Sequence, residues 1–157
     1  MVWFGSMTDS VHLYDLIKES FLLLDFGDRL LLEKFTLTVP RYYALTHIAN
    51  EPGISPSLLS RRMFCDKSNI TRLIQGLEND GLIERRPHEK DGRAQRIYLT
   101  DSGADLHEQA ASAHRQYVEL RLKALEACTA QQVTDVLTYL NRSLADGLDS
   151  NPLILLN

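Results

Sequence analysis

The apolar residues of this chain recur at two different spacings, and these spacings predict where helices and strands lie. From Asp66 to Gly81 the spacing is helical, about 3.6 residues. Asp66 is a residue type that accepts hydrogen bonds from the free amides of a first helical turn, and Gly81 suits the left-handed position after a last turn. The apolar stripe consists of Ile70, Leu73, Ile74 and Leu77. We therefore predict a short helix with one buried and one polar face.

The polar face of this helix begins with compact hydrogen-bonding or cationic side chains, none of them acidic. These residues are Lys67, Ser68, Asn69, Thr71 and Arg72. Such groups suit the base edges and phosphates of a DNA major groove. A solvated helix face has a similar composition, so this helix alone leaves both interpretations open.

A second short helix is predicted just before the helix that begins at Asp66. Ser55 suits the capping position and Pro56 the first helical position. The residues predicted to face inward are Leu58, Leu59 and Met63, and those predicted to face outward are Arg61 and Arg62. Because the two helices are joined by a tight turn at Phe64 and Cys65, they predict a helix-turn-helix whose second helix reads DNA.

After Gly81 the spacing changes to that of strands. Residues 82–86 and 95–100 are predicted as two strands, in which Ile97 and Leu99 alternate with polar residues, around a loop at 87–93. An exposed surface hairpin is one interpretation. The cations clustered on it favour a wing that contacts phosphates. The wing residues predicted to contact DNA include Arg85, Arg86, Lys90 and Arg93.

The first helix is predicted from about Ser10 to Phe35 and is apolar on nearly all sides. Such a helix must be covered on several sides, which in a small domain indicates a subunit interface. The next helix is predicted to run to Asn50, with Thr38 as its cap and Pro40 tolerated in its first turn.

Two further helices are predicted after the wing. Thr100 is expected to cap the first, from Asp101 to about Ala127. A capping box that begins at Thr129 is expected to start the last, which ends near Gly147.

Charge is distributed unevenly along the chain. The 157 residues carry a formal net charge of −4, yet the segment from Ser55 to Thr100 holds nine Lys and Arg against six Asp and Glu, a surplus of three positive charges. A basic block in an acidic chain is typical of a surface that binds a polyanion. No apolar run is long enough to cross a membrane, and no signal peptide precedes the first helix, so we expect a cytoplasmic protein.

Catalytic and metal chemistry find little support in the sequence. We find no Ser/His/Asp set, no Gly-rich phosphate loop and no paired carboxylates, and we expect neither an enzyme nor a cofactor. His107 and His114 lie about two helical turns apart, too far to chelate one ion together. With His47 they are expected to be surface or pocket-lining residues, and no metal site is predicted. Cys65 is expected to pack in the core.

The segment Asp91-Gly-Arg-Ala-Gln-Arg-Ile-Tyr-Leu-Thr-Asp-Ser-Gly103 resembles the wing signature of the MarR family of transcriptional regulators. The segment from Asp66 to Arg86 is similar to that family's recognition helix and first strand. The resemblance implies a homodimer, a pseudo-palindromic operator and repression that a small, often phenolic, molecule relieves. It also implies that Arg93 enters the minor groove and that Asp91 orients it.

The expected fold is mainly α with a small β-hairpin wing: a winged helix-turn-helix with N- and C-terminal dimerisation helices. The expected domains are an arm at 1–9 that is disordered or added by cloning, a dimerisation helix at 10–36, a DNA-binding domain at 37–100 and dimerisation helices at 101–157. The expected partners are double-stranded DNA, a second copy of the chain and a small aromatic effector, with no membrane. A thiol- or metal-responsive regulator on this fold, and a winged helix used for protein contacts, are the alternatives.

An effector site is predicted on the helix between Thr38 and Asn50, which connects the dimerisation helices to the DNA-binding domain. Aromatic walls with a hydroxyl and an imidazole suit a planar, weakly acidic ligand. The predicted lining residues are Phe21, Phe26, Tyr42, Tyr43, Thr46 and His47. The alternative is that these aromatic residues belong to an ordinary core.

Overall fold

The structure is a computed structural model that describes residues 10–88, 91–123, 125 and 127–149, without the side chains of residues 88, 91–94, 127, 128 and 147–149. The arm predicted at 1–9 lies outside the described residues. Two compact units divide the chain, one up to Gln116 and one from Tyr117.

Six α-helices, one 3-10 helix and one hairpin make up the described chain. They are α1 (Ser10–Leu32), a 3-10 helix (Glu33–Phe35), α2 (Val39–Asn50), α3 (Pro56–Arg62), α4 (Lys67–Asn79), β1 (Ile83–His88), β2 (Asp91–Leu99), α5 (Asp101–Leu122) and α6 (Ala127–Asp149). The strands pair antiparallel, with Ile83 opposite Leu99 and Arg85 opposite Ile97. The fold is therefore mainly α with a β-hairpin wing, as predicted.

The hydrophobic core of the first unit contains residues of the helix-turn-helix and residues at the base of the two wing strands. Its fully buried side chains include Leu32, Leu45, Ile48, Ile54, Leu59, Ile70, Leu77, Ile83 and Ile97. Ile54 also forms a short antiparallel bridge to Ile97, so a third piece of extended chain extends the hairpin. In α4 the predicted stripe is confirmed, since Ile70, Ile74 and Leu77 are buried and Leu73 packs against them.

The strands are longer than predicted. Residue pairing continues to Pro87 opposite Gln95 and, after a shift in register, to His88 opposite Asp91, so most of the expected loop at 87–93 is strand. Proline lacks an amide hydrogen, but an edge strand tolerates it where that group would face solvent. The alternation of Ile97 and Leu99 with polar residues is confirmed, with Ile97 fully buried.

Several predicted helix boundaries are wrong by a few residues. The chain leaves α1 through a 3-10 turn, in which the Thr36 amide donates to the Glu33 carbonyl at 3.0 Å. Thr38 precedes α2, but its side chain makes no capping hydrogen bond. α5 ends at Leu122, whose carbonyl accepts the Leu125 amide at 3.0 Å in a tightened turn.

The last helix also begins earlier than predicted. α6 starts at Ala127, so Thr129 lies within its first turn and does not occupy the capping position. The reason is that Ala127 has a high helix propensity, which extends the helix before the threonine. No helix of the described chain is both long and apolar enough to cross a membrane.

Candidate nucleic-acid interface

The first turn of α4 is fixed by Asp66. One Asp66 oxygen accepts the Asn69 amide at 2.9 Å and the Ser68 hydroxyl at 2.7 Å, and the other accepts the Asn69 side-chain Nδ2 at 2.8 Å. The Ser68 hydrogen bond, followed by that of the Asn69 amide, lowers the pKa of the Asp66 carboxyl. Asn69 is held in place while its Oδ1 and one N–H remain available. This cap therefore orients two of the predicted reading residues.

Three exposed cations surround this turn. Arg61 lies on α3, and Lys67 and Arg72 lie on α4. Within the described chain, the side chains of Arg61 and Lys67 form no hydrogen bond or ion pair, and Arg72 has only a charge interaction with Asp66. Thr71 donates its hydroxyl to the Lys67 carbonyl at 2.7 Å. Positive charge is therefore left uncompensated at the end of α4 that carries the polar residues.

The wing arginines have partners within the protein. Arg85 binds the Glu78 carboxylate through two nitrogens, one of them Nε at 3.0 Å. This pairing raises the pKa of Arg85 and lowers that of Glu78. Arg86 pairs with Glu84 and lies 4.7 Å from the centroid of the Tyr98 ring. The Arg85 side chain is thus held against α4, and the Arg86 side chain is held against the hairpin. The Lys67 side chain, in contrast, is exposed and has no such partner among the described residues.

The turn between α2 and α3 has contacts both to α3 and to the wing. Arg62 of α3 pairs with Glu51, and Arg96 of the wing donates to the Gly53 carbonyl at 3.0 Å. Gly53 has φ +84°, and a Cβ there would lie 2.8 Å from the Tyr98 hydroxyl oxygen. Sequence reasoning missed these roles, because each contact joins residues that are distant in sequence.

The wing tip lies partly outside what the structure describes. Lys90 is outside the described residues, and so are the side chains of Asp91 and Arg93. Their backbone places Asp91 and Arg93 on β2, beside the turn of the hairpin.

The predicted effector residues are brought together only in part. Tyr42 is buried, and its ring lies 5.3 Å from the Tyr43 ring, 5.0 Å from the His114 ring and 6.2 Å from the His107 ring, between centroids. Asp28 closes this cluster, because its carboxylate lies 3.2 Å from His114 Nε2 and accepts the Tyr43 hydroxyl at 3.4 Å. Burial and the Asp28 charge raise the pKa of Tyr43 to about 12.

Thr46 connects this cluster to a surface groove. Its Oγ1 lies 3.2 Å from His107 Nε2. The groove has a volume of about 300 Å³ and is lined by Ile48, Ala49, Pro52, Tyr98, Leu99, Ala104 and His107. Burial lowers the pKa of His107. Sequence analysis indicated His107 and His114 as surface or pocket-lining residues. It did not indicate Asp28, because no local sequence pattern shows that Asp28 contacts His114, which is distant in the chain.

The other predicted effector residues lie elsewhere. Phe21 and Phe26 are exposed on α1, 57% and 54% accessible. His47 does not line the groove, and burial and the Arg62 charge lower its pKa. Cys65 is partly buried and packs against the core. Among the described residues no three His, Cys, Asp or Glu side chains are placed to hold a metal ion.

Comparison with known proteins identifies the family. The sequence profile of the MarR family matches residues 35–94. The chain is 30% identical over 112 residues to the regulator BilQ of Clostridium symbiosum, covering 71% of this chain and 78% of that protein. It is 30% identical over 115 residues to the transcriptional repressor IacR of Pseudomonas putida, covering 73% of this chain and 68% of that protein.

Other relatives match over a shorter part. Three mycobacterial regulators, from Mycobacterium leprae, M. bovis and M. tuberculosis, match at 34% to 35% identity, and the chain spans only 57% to 59% of their length. Among solved structures, a cysteine-to-serine mutant of E. coli MarR complexed with operator DNA is similar, with a TM-score of 0.78 and 25% identity, covering 84% of this chain and 95% of that one. The sequence and fold comparisons agree, and the chain belongs to the MarR family of winged helix-turn-helix transcriptional regulators.

Proposed function

We propose that this protein is a homodimeric repressor that binds a pseudo-palindromic operator through α4 and the wing. The observation that carries the proposal is the uncompensated positive charge at the N-terminal end of α4. N-terminal residues of a recognition helix contact base edges in the major groove. The related MarR structure, solved with operator DNA, supports this use of the fold.

Different residues have different roles on the DNA in this proposal. Lys67 and Asn69 read bases, since lysine can bond guanine and asparagine adenine. Arg61 and Arg72 bind phosphates, with Ser68 and Thr71 beside them. In the wing, Arg93 enters the minor groove and Asp91 orients it, as the family resemblance implies, and Lys90 adds charge at the tip.

Arg85 and Arg86 have a weaker case for direct contact. Their guanidinium groups are already paired with Glu78 and Glu84, so binding phosphate would require them to exchange or share a partner. We propose that Arg85 mainly holds the wing against α4, that Arg86 stabilises the hairpin, and that positive charge for the phosphates comes first from α3 and α4.

Dimerisation is supported by apolar surface on both units. On α1 the exposed apolar residues are Val11, Leu13, Tyr14, Leu16, Phe21, Leu22, Leu23, Leu24, Phe26 and Leu30, and on α6 they are Val133, Val136, Leu137, Tyr139 and Leu144. Monomeric proteins rarely expose so much contiguous apolar area. We propose that residues 10–36 and 101–157 form the dimer interface and that residues 37–100 bind DNA, with recognition helices roughly 34 Å apart.

The proposed division between base readers and phosphate anchors is testable. With a duplex selected by the wild type from a random pool, Lys67→Ala should reduce the preference for this duplex over random DNA about tenfold, because one base contact is lost. Arg61→Ala should weaken both duplexes alike and lower the salt slope of binding by about one unit. Fluorescence anisotropy across a salt series measures both quantities.

Arg85→Ala is the matched control, since it removes the same charge from an internal ion pair and should change the salt slope less than Arg61→Ala does. Equal losses on both duplexes for Lys67→Ala and Arg61→Ala would contradict the division. A wild type that prefers no duplex over random DNA would contradict the proposed function itself.

We further propose that a planar weak acid binds in the groove beside His107 and relieves repression. The groove volume is at the small end of ligand sites, enough for one aromatic ring. Binding at the other end of the cluster is disfavoured, because the carboxylate of Asp28 would repel an anion. To relieve repression, the ligand must bind more tightly to a dimer conformation in which the recognition helices do not match the operator. A ligand that binds both conformations equally does not change their populations.

Salicylate provides a probe of this site. We expect it to release the operator at a lower concentration at pH 6 than at pH 8. The reason is that a bound anion favours protonated His107, whose pKa burial has lowered. His107→Gln should abolish this pH dependence, whereas His47→Gln, which alters a histidine outside the groove, should preserve it. Release that is unchanged in His107→Gln would exclude the groove as the binding site.

A further inference from the structure

Phe64 occupies an unusual position in the turn between α3 and α4. Its φ is +47°, and its side chain is 83% exposed. Two hydrogen bonds define the turn: the Cys65 amide donates to the Ser60 carbonyl at 3.1 Å, and the Phe64 amide to the Arg61 carbonyl at 3.2 Å. This pair of bonds forms a Schellman motif with Phe64 at the left-handed position, where glycine is usual.

Phenylalanine is unfavourable here in two respects. A side chain in the left-handed region crowds its own backbone, and this ring gains no burial in return. Glycine or asparagine would avoid the strain and leave no apolar group in water. Strained conformations are frequent at functional sites, and strain combined with an exposed aromatic ring is what needs an explanation beyond folding.

The position of Phe64 in the chain favours DNA as its partner. It lies three residues after Arg61 and three before Lys67, and neither of these cations forms an ion pair or side-chain hydrogen bond with a described residue. It also comes two residues before Asp66, the cap of the helix whose first turns carry the reading residues. In sequence, the ring therefore lies between two cations that we propose to contact DNA, and an exposed aromatic ring suits the C5 methyl group of thymine.

We propose that Phe64 packs against a thymine methyl group at the edge of the major groove, once in each half-site, and so contributes to operator specificity. The inference rests on the proposed DNA binding by α4. It adds a base position that is read by apolar contact, beside those read by hydrogen bonds.

The first part of the test measures thermal unfolding. Phe64→Gly should raise the melting temperature by about 2 to 4 °C, because it removes the left-handed strain. Thr36→Gly is the matched control: Thr36 is exposed, has φ +56°, and is the other non-glycine residue with positive φ among the described residues. It should gain stability in the same way and leave DNA affinity unchanged. A Phe64→Gly protein that melts below the wild type would overturn the argument from strain.

The second part measures affinity for the duplex that the wild type selects from a random pool, with each thymine replaced in turn by deoxyuridine. For the wild type, removal of the contacted methyl group in one half-site should weaken binding about fourfold. Phe64→Gly and Phe64→Asn lose the contact in both half-sites, so they should bind the thymine duplex at least about tenfold more weakly and should not distinguish thymine from deoxyuridine. Phe64→Leu should retain the discrimination.

Two results would overturn the inference while leaving the proposed function intact. One is a Phe64→Gly protein that binds the selected duplex as tightly as the wild type, the result expected if the ring serves a protein partner. The other is loss of affinity in Phe64→Gly without any thymine position that the wild type distinguishes from deoxyuridine. Failure of the wild type to select any duplex would instead reject the proposed function.

Discussion

Replacement of Gly103 by alanine is expected to destabilise the first unit by about 3 kcal/mol or more. A Cβ at this position would lie 1.8 Å from the Leu82 carbonyl oxygen and 2.8 Å from the Leu82 carbonyl carbon. These are backbone atoms, so no change of side-chain rotamer relieves the overlap. The same Leu82 oxygen accepts the Thr100 amide at 3.1 Å, and moving it would also weaken that bond.

The measurement is a urea unfolding midpoint, with the m-value checked for two-state behaviour. Gly76→Ala is the matched control. Gly76 lies within α4, and nothing is within 4 Å of the Cβ it would gain. This substitution should stabilise the protein by about 0.5 to 1 kcal/mol through helix propensity. A Gly103→Ala protein with the wild-type midpoint would show that this overlap does not exist in solution.

Disruption of the proposed dimer should have the largest effect on DNA binding. Leu22→Glu on α1 and Val136→Glu on α6 place a charge at apolar positions that are 59% and 64% exposed in the single chain. Burial of an unpaired carboxylate in an interface is strongly unfavourable, so each variant should be monomeric. A monomer engages one half-site only and loses the effective concentration of the second, which we expect to reduce operator affinity about 100-fold or more.

Sedimentation and operator binding should change together in these variants. Thr38→Glu, which adds the same charge at an exposed polar position just before α2 and outside both proposed interface segments, should remain dimeric and retain affinity. Circular dichroism should match the wild type for all three, since none of the replaced side chains is buried in the chain. A Leu22→Glu protein that stays dimeric would place the interface away from this part of α1.

Features that depend on neighbouring residues were predictable from the sequence. The cap at Asp66, the stop near Gly81 and the stripe beginning at Ile70 all follow from local chemistry, and the structure confirms them. The cap at Ser55 is confirmed as well, with its side chain accepting the Leu58 amide at 3.2 Å.

Features that depend on tertiary contacts were not predictable. Arg85 and Glu78 are seven residues apart, on a strand and a helix, and only the folded wing brings them together. The same holds for Asp28 and His114, which are 86 residues apart. A sequence shows which side chains are charged, but it does not show which charges neutralise each other. The sequence therefore indicated Arg85 and Arg86 as wing cations, but it did not show that Glu78 and Glu84 pair with them.

The contacts around Leu82 have a mechanical consequence for regulation. Thr100 donates its hydroxyl to the Gly81 carbonyl at 2.6 Å and accepts the Gly103 amide at 3.0 Å, and α5 passes close to the Leu82 backbone because Gly103 has no side chain. These contacts therefore join the end of α4, the start of β1 and the first turn of α5. A rotation of this end of α5 would be transmitted to α4, and it would change the angle of the helix that we propose to read DNA.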